Sequence, residues 1–508
     1  MENSSYYDAQ NKITLSISQI LDVNIRNIEE IFFEWGDIVK KKFLLKRKNG
    51  YVGIYIVYVD GLTDNEMIER TIIRPLLFEW KENTDENVFA SIRDKQIETT
   101  DIDEEAEFDA VVLGILRGDG AIFVDGYDKV LLISSKNLPL RGISTPEKES
   151  GMKGGLDSFN ESMRMGTALI RRRIRDPKLK AKQDYLGQRS RTDYALMYME
   201  DLIYPSMLKE IESRLKNFEI DGIYDSNTLL QLLEDKWYSP FPQFQTTERP
   251  DKAASAILEG RIVMVVDNSP EVVILPATLN TFFQAADDYY NRFAVGTFAR
   301  WIRYLCAYIS ILLPGLYIAI TCFHQEVLPT KLLLAIMGAR TNITFPIIIE
   351  VLVMEFLFEL LREAGIRLPG KMGNTIGVVG GLIVGQAAVE ASLVSTIVVI
   401  VVALTAISSF AIPNEEFVST FRLLKFFLIF AGAIWGLYGI IMAVLVILIH
   451  LSDLTSLGIP YMMPAVSGSV NANQDQKDFF MRFPVFSMKK RPVFTKENNR
   501  KRFKQKII

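Results

Sequence analysis

Two cysteines and two histidines are all that this 508-residue chain holds of the side chains that most often bind metals or drive acid–base chemistry. Cys306 and Cys322 lie in one apolar run, where a disulfide framework has nothing to fasten, so both read as small apolar filler. His324 and His450 stand at the ends of apolar stretches, and no third ligand type clusters with them. A catalytic metal centre or a histidine-based triad therefore has almost no material. No catalytic, cofactor-binding or metal-ligating residue is assigned, no cofactor is expected, and an enzyme is not. No Gly-x-x-x-x-Gly-Lys-Ser/Thr follows any strand pattern, so a P-loop is absent. The N-terminus, MENSSYYDAQNKITLSISQ, has no basic region leading into an apolar stretch, so no cleaved signal is expected and a soluble N-terminal half should stay in the cytoplasm.

Long apolar runs are missing until Trp301. Hydrophobic residues make up 49% of the chain, ordinary for a globular protein, yet the mean hydropathy is +0.15. The chain is too long for one core, and the composition points to a soluble half followed by a membrane half.

The soluble half repeats itself. ILRGDGAIFVDGYDKVLLI (Ile115–Ile133) aligns without a gap on ILEGRIVMVVDNSPEVVIL (Ile257–Leu275), 142 positions later. Tyr58, Leu62 and Met67 match Tyr198, Leu202 and Met207 at nearly the same shift. Each copy reads as a strand (Val52–Val59; Tyr194–Met199), an amphipathic helix, and then a helix running into a hairpin. The hairpin turns are Asp125-Gly126 and Asp267-Asn268, with each Asp read as bonding its own turn. The fold class expected is an α+β soluble region, two similar α/β lobes with mixed sheets, followed by an all-α polytopic membrane domain.

Between the lobes, LPLRGISTPEKESGMKGG reads as a linker, and Ser158 with Glu161 as a capping box. The basic cluster Arg171, Arg172, Arg173, Arg175, Lys178, Lys180 and Lys182 has three readings. Nucleic acid is disfavoured by a pI near 5.6. Contact with an acidic lobe and attraction to an anionic inner leaflet remain. The expected divisions are a first lobe over 1–139, a basic linker over 140–190, a second lobe over 191–285, a membrane domain over 286–455 and a basic cytoplasmic tail over 456–508.

Apolar runs Ile302–Phe323, Phe345–Leu361, Ile376–Ile412 and Leu424–Ile449 give four to five spans. Ile376–Ile412 is too long for one straight helix, and Leu328–Gly338 too short to cross. Basic residues before the first span (Arg292, Arg300, Arg303) and in the tail put both termini inside, with the acidic loop Pro413–Phe417 outside. Gly377, Gly381 and Gly385 stand four apart and form a candidate packing face, widened by Gly380. Glu350, Glu355, Glu359, Gln386 and Glu390 are candidate pore or polar intramembrane residues, because a carboxylate in hydrocarbon needs water, a partner or a proton. Glu355 and Glu359 share a face.

Blocks between Pro242 and Ile412 resemble one family. PQFQTTERPD (Pro242–Asp251), DDYYNRF (Asp287–Phe293), LLPGLYIAITCFHQEVLP (Leu312–Pro329), FPIIIEVLVMEFLFELLREAGIRLP (Phe345–Pro369) and VGGLIVGQAAVEASLVS (Val379–Ser395) are similar to A subunits of GerA-type spore germinant receptors. The resemblance runs from about Leu140 to Pro464. It implies a protein of the spore inner membrane that works with a transporter-like, nutrient-binding B subunit and a lipoprotein C subunit. It also implies a homo-oligomer conducting ions when nutrient binds. The competing reading is a solute transporter subunit, which would carry its repeat and paired broken helices in the membrane half.

Overall fold

In a computed structural model of the chain, residues 6–7, 12–47, 50–80, 87–97, 101–137, 153–367, 372–466, 476–499 and 501–502 are described. Most of the linker sequence after Leu138 lies outside them. The chain divides into two units. One comprises Met1–Glu234, Phe244–Pro276 and Lys489–Ile508; the other comprises Asp235–Gln243 and Ala277–Met488.

The first unit holds two five-stranded sheets built to one plan. In the first lobe, helix α1 (Leu21–Ile31) leads to β1 (Ile38–Arg47), β2 (Gly50–Val59), β3 (Ile102–Glu105), α2 (Phe108–Arg117), β4 (Gly120–Val124) and β5 (Val130–Ile133). In the second, α3 (Met163–Arg173) leads to β6 (Leu179–Leu186), β7 (Thr192–Met199), β8 (Gln245–Thr247), α4 (Pro250–Leu258), β9 (Ile262–Val266) and β10 (Val272–Leu275). The strand orders are β1-β2-β4-β5-β3 and β6-β7-β9-β10-β8, the same order in both lobes. Strand β2 is buried on both faces: Tyr55, Val57 and Val59 join one core, Ile54, Ile56 and Tyr58 the other.

Every strand pair in both sheets is antiparallel, which corrects the expectation of mixed sheets. The reason is topological. The unit β3–α2–β4 is a right-length crossover between two strands of the same direction, but β5 inserts between them; β10 does the same between β8 and β9. The strands Val52–Val59 and Tyr194–Met199, read as first in each copy, are second. Each is preceded by a hairpin partner, β1 or β6.

The duplication extends to hydrogen bonds. Asp125 Oδ1 accepts from the backbone N–H of Leu21, and Asp267 Oδ1 from that of Met163, each at 3.0 Å. The turn residue that follows donates to Gln19 O or Glu161 O, at 2.8 and 2.7 Å. The two turn aspartates therefore bond the first helix of their own lobe, where a bond to their own turn was expected. This satisfies a donor that a helix N-terminus otherwise leaves open. Ser158 and Glu161 lie ahead of α3, which Ser162 caps alone, and Ser158 donates to Glu248 O at 3.1 Å, so the capping-box reading does not hold.

Helix α3 and strand β6 belong to the second lobe's core, so part of the stretch read as linker is structural. The basic cluster is largely consumed there. Arg171 is buried, grips Asp37 of the first lobe with two nitrogens and lies 3.3 Å from the centre of the Trp35 ring. Lys180 is buried beside Glu200, Arg173 pairs with Asp157 and Lys182 with Glu212. Burial pulls the Lys180 ammonium below its ordinary pKa, and Glu200 opposes the shift. Trp35 Nε1 donates to Pro177 O at 3.1 Å, and the Gly36 N–H to Ala181 O at 3.0 Å. Arg171 and the backbone at Pro177 and Ala181 thus join one lobe to the other, while Arg173 and Lys182 pair within the second.

The second unit is helical: α5 (Phe293–Phe323), α6 (Thr330–Ala339), α7 (Ile347–Ile366), α8 (Met372–Glu390), α9 (Thr396–Phe410) and α10 (Glu415–Asp453). Among the described residues, α5 and α10 are long and apolar enough to cross a membrane. The run α10 is not straight. Gly436 has φ 60° and ψ −142°, a conformation open to glycine alone. A straight helix would hold residues 417 and 450 about 50 Å apart, yet the Phe241 ring lies 6.3 Å from Phe417 and 6.1 Å from His450. Leu428 and Ala431 pack with Ile440 and Ala443. The chain reverses at Gly436 into two antiparallel arms, 415–435 and 437–453. Leu424–Ile449, read as one span, is this hairpin. The break in Ile376–Ile412 falls between α8 and α9.

The reversal sets which ends lie together. Phe417 stacks on Phe282 at 5.2 Å, Phe283 stacks on Tyr304 at 4.4 Å, and Leu451 joins the same cluster. At the other end Gly436 abuts Phe323 and His324. Residues 304–323 and 415–435 thus run side by side for about 30 Å, a hydrocarbon thickness. The acidic loop Pro413–Phe417 lies at the end holding Arg300 and Arg303, not at the opposite end as expected.

Replacing either turn aspartate should open one helix end and leave the other lobe intact. Hydrogen exchange of Asp267→Ala should show faster exchange at Met163 and the next turn of α3, with α1 unchanged; Asp125→Ala should do the reverse. A cap loss costs about 0.5–2 kcal/mol, so protection should fall roughly 2- to 30-fold.

Candidate polar site in the helical unit

Sequence places charged side chains inside apolar runs, and packing decides whether each finds a partner. Helix α7 carries Glu350, Glu355 and Glu359. Glu350 is fully buried. Arg340, from the turn after α6, donates to it at 2.9 and 3.3 Å, and the Ser395 N–H at the start of α9 at 2.9 Å. One carboxylate therefore fixes three segments.

A second node lies farther along α7. Lys425, on the first arm of α10, donates to Glu355 at 2.6 Å and to Glu359 at 3.3 Å. Arg422, one turn earlier, lies 3.8 Å from Glu359. Lys425 and Glu355 are both buried, and Glu355 Oε1 has no hydrogen-bond partner. Ser310, Thr405, Ser409 and Arg362 complete a cavity of about 20 Å³, room for one water.

A third node fastens the start of α5. Arg303 holds Asp288 at 2.6 and 2.7 Å, and Arg300 holds Asp478 at 2.9 Å while lying 3.4 Å from Asp288. Tyr289 adds a hydrogen bond to Asp478 at 2.6 Å.

Gln386 and Glu390 differ from all of these. They bond each other at 3.0 Å along α8, and both are exposed. Of the glycine face, Gly381 looks onto the ring of Phe358 and Gly385 onto Val399, at the distance of ordinary side-chain contact. The surroundings of Gly377 fall outside the described residues. Close backbone approach occurs elsewhere. A Cβ on Gly432 would sit 2.8 Å from Gly315 O, and one on Gly315 2.9 Å from Leu428 O. These two glycines seat α5 against the first arm of α10.

A family model described as Bacillus/Clostridium GerA spore germination protein matches residues 26–494. The chain belongs to the GerA family. This GerA protein is 39% identical over 452 residues to spore germination protein A1 of Bacillus subtilis strain 168, covering 89% of this chain and 91% of that one. Spore germination protein GerLA of Bacillus cereus is 38% identical over 439 residues, covering 86% and 88%. The uncharacterized membrane protein YfkQ of Bacillus subtilis strain 168 is 37% identical over 487 residues, covering 96% and 93%. Among solved structures, the N-terminal domain of the A subunit of the Bacillus megaterium spore germinant receptor GerK3 is 29% identical. It covers 51% of this chain and 96% of that one, with a TM-score of 0.41.

In the sequence of this GerA chain the acids are visible but their pairing with Arg340, Arg422 and Lys425 is not. Lys425 is one charge in an apolar run, and Arg340 follows a short apolar stretch. The spacing Gly432-x-x-x-Gly436 carried the close-packing signal that was read at Gly377, Gly381 and Gly385.

Removing one partner of the second node leaves a buried charge alone, which costs about 3–5 kcal/mol. Lys425→Met should therefore lower the unfolding midpoint of the detergent-solubilised protein sharply. Adding Glu355→Gln to Lys425→Met should recover a large part of the loss. Equal midpoints for wild type and Lys425→Met would show that the pair carries no such weight.

Proposed function

We propose that this chain is the A subunit of a nutrient-responsive spore germinant receptor. Its helical unit crosses the spore inner membrane and assembles with copies of itself around an ion path faced by Gln386 and Glu390. Family membership and relatives named as spore germination proteins support the receptor role. A transporter-like B subunit that binds nutrient and a lipoprotein C subunit are its proposed partners.

One observation carries the path. Glu350, Glu355 and Glu359 are held inside the chain by Arg340, Lys425 and Arg422, whereas Gln386 and Glu390 turn an exposed face outward. A carboxylate on a membrane helix calls for water or a polar partner. A second copy of the chain, with water between, supplies both. The paired acids are accordingly assigned to holding the helices, and the exposed pair to the path.

Exposed Trp301 and Tyr308 at one end, and Trp435 and Tyr438 at the other, mark two aromatic belts. Arg300, Arg303, Arg422 and the basic residues after Met488 gather at the first end or continue from it, so this end faces the cytoplasm. Both termini are then inside. The inner-leaflet attraction left open for residues 171–182 is carried instead by this end, because Arg171, Arg173, Lys180 and Lys182 have partners within the soluble unit.

Two measurements test the reading, each in protein with Cys306→Ser and Cys322→Ser. Cysteines placed at Glu415 and Ser452 should be labelled from one face of sealed vesicles and one at Leu437 from the other. Labelling of Glu415→Cys and Ser452→Cys from opposite faces would overturn the hairpin topology. In native membranes, Gln386→Cys should cross-link copies of the chain through a bis-maleimide, whereas Val446→Cys should not. Monomer alone from Gln386→Cys would remove the shared path.

A further inference from the structure

The segment Asp235–Gln243 lies in sequence between a helix and a strand of the second lobe, yet belongs to the helical unit. Its anchorage there is specific. Lys236 donates to the carbonyl of Asp453 at 3.0 Å and pairs with its carboxylate, placing a cation at the C-terminus of the second arm of α10. Ser239 Oγ shares a hydrogen bond with His450 Nε2 at 2.8 Å, and the Phe241 ring stacks on the same imidazole. The turn between these fastenings carries two aromatic rings, of which Tyr238 also lies 6.2 Å from the His450 ring. Trp237 is 83% exposed and Tyr238 59%, with ring centroids 6.0 Å apart.

An aromatic pair this open is unusual for residues that normally bury most of their area. Its location explains what covers it. His450 and Asp453 are the polar residues that close the apolar second arm. The exposed rings therefore stand where hydrocarbon gives way to headgroups, at the end of the unit where Trp301 is also exposed. Trp and Tyr favour that layer because one edge is apolar and the other donates a hydrogen bond.

We propose that Trp237 and Tyr238 insert into the phospholipid headgroup layer on the side of Trp301, so that Asp235–Gln243 is an interfacial foot supplied by the soluble half of the sequence. The proposal rests on the reading that the helical unit crosses a bilayer. The occupant is a phospholipid surface: the foot presents two amphipathic rings and no groove, and it continues a membrane helix end.

The test is the depth of a nitroxide attached to Trp237→Cys in the full chain carrying Cys306→Ser and Cys322→Ser. The protein is held in nanodiscs of phosphatidylcholine and phosphatidylglycerol. Accessibility to oxygen is compared with that to a water-soluble nickel chelate. Two reference positions are Val446→Cys, exposed midway along the second arm, and Tyr224→Cys, exposed on the first unit. The Trp237 label should fall between them, at headgroup depth, with the nickel collision rate several-fold below that at Tyr224. A nickel rate equal to that at Tyr224 overturns the foot. An immobilised label shielded from both reagents overturns it in favour of a protein contact. If Val446 itself is freely reached by nickel and not by oxygen, the membrane reading fails and the foot with it. An aqueous Trp237 beside a lipid-exposed Val446 removes the foot alone. Both rings are exposed, so the substitutions disturb no core, and equal elution on size exclusion checks this.

Discussion

An ionised carboxylate in a low-dielectric interior has to find a cation or several donors, and the helical unit is arranged around that requirement. Between helices in lipid there is no hydrophobic force to set a register, so packing and polar contacts must do it. Glu350 sets one register by gathering the turn after α6 and the first residue of α9 onto α7. Glu355 and Glu359 set another by holding Lys425 of α10. The ion pairs therefore specify a single arrangement more than they deepen it. Gly315 and Gly432 complete that arrangement by letting two backbones touch where any side chain would hold them apart.

The soluble half solves a different problem by repetition. Each lobe must satisfy the open end of its first helix, and each does so with an aspartate from a hairpin turn far along the chain. The copies then diverge where they meet. Trp35 and Asp37 of the first lobe receive Arg171 of the second, a cation that is stacked, paired and buried together. Arg171→Lys would keep the charge but lose both the two-nitrogen grip and the flat stacking surface.

Much of this was legible in the chain. Alternating apolar residues around Asp125-Gly126 and Asp267-Asn268 give the hairpins, and the constant spacing gives the duplication. Excess length gives the break before Thr396, and ordered blocks from Pro242 to Ser395 give the family. Three features were hidden for physical reasons. Strand β6 reads LKAKQDYL, so Lys180, Lys182 and Asp184 on one face concealed a strand that buries Leu179 and Ala181 on the other. The antiparallel sheets depend on where β5 and β10 insert, which no local pattern records. The reversal at Gly436 costs one residue in a run of uninterrupted hydrophobicity. Its signal is a backbone angle, not a composition. The acids of α7 were visible, but their partners were not, because pairing joins residues 10 and 70 positions apart.

The long-range caps also dictate an order of assembly during synthesis. Helix α1 waits for Asp125 and helix α3 for Asp267, so neither lobe can close from its N-terminal residues alone. Each is completed by the last hairpin it receives. The second hairpin ends at Leu275, shortly before the first long apolar helix begins at Phe293. A nascent chain thus holds every residue of both sheets by the time its first membrane-seeking segment is made. Both sheets can then fold while the ribosome delivers the remainder to the bilayer, and Lys489–Ile508 joins their unit last.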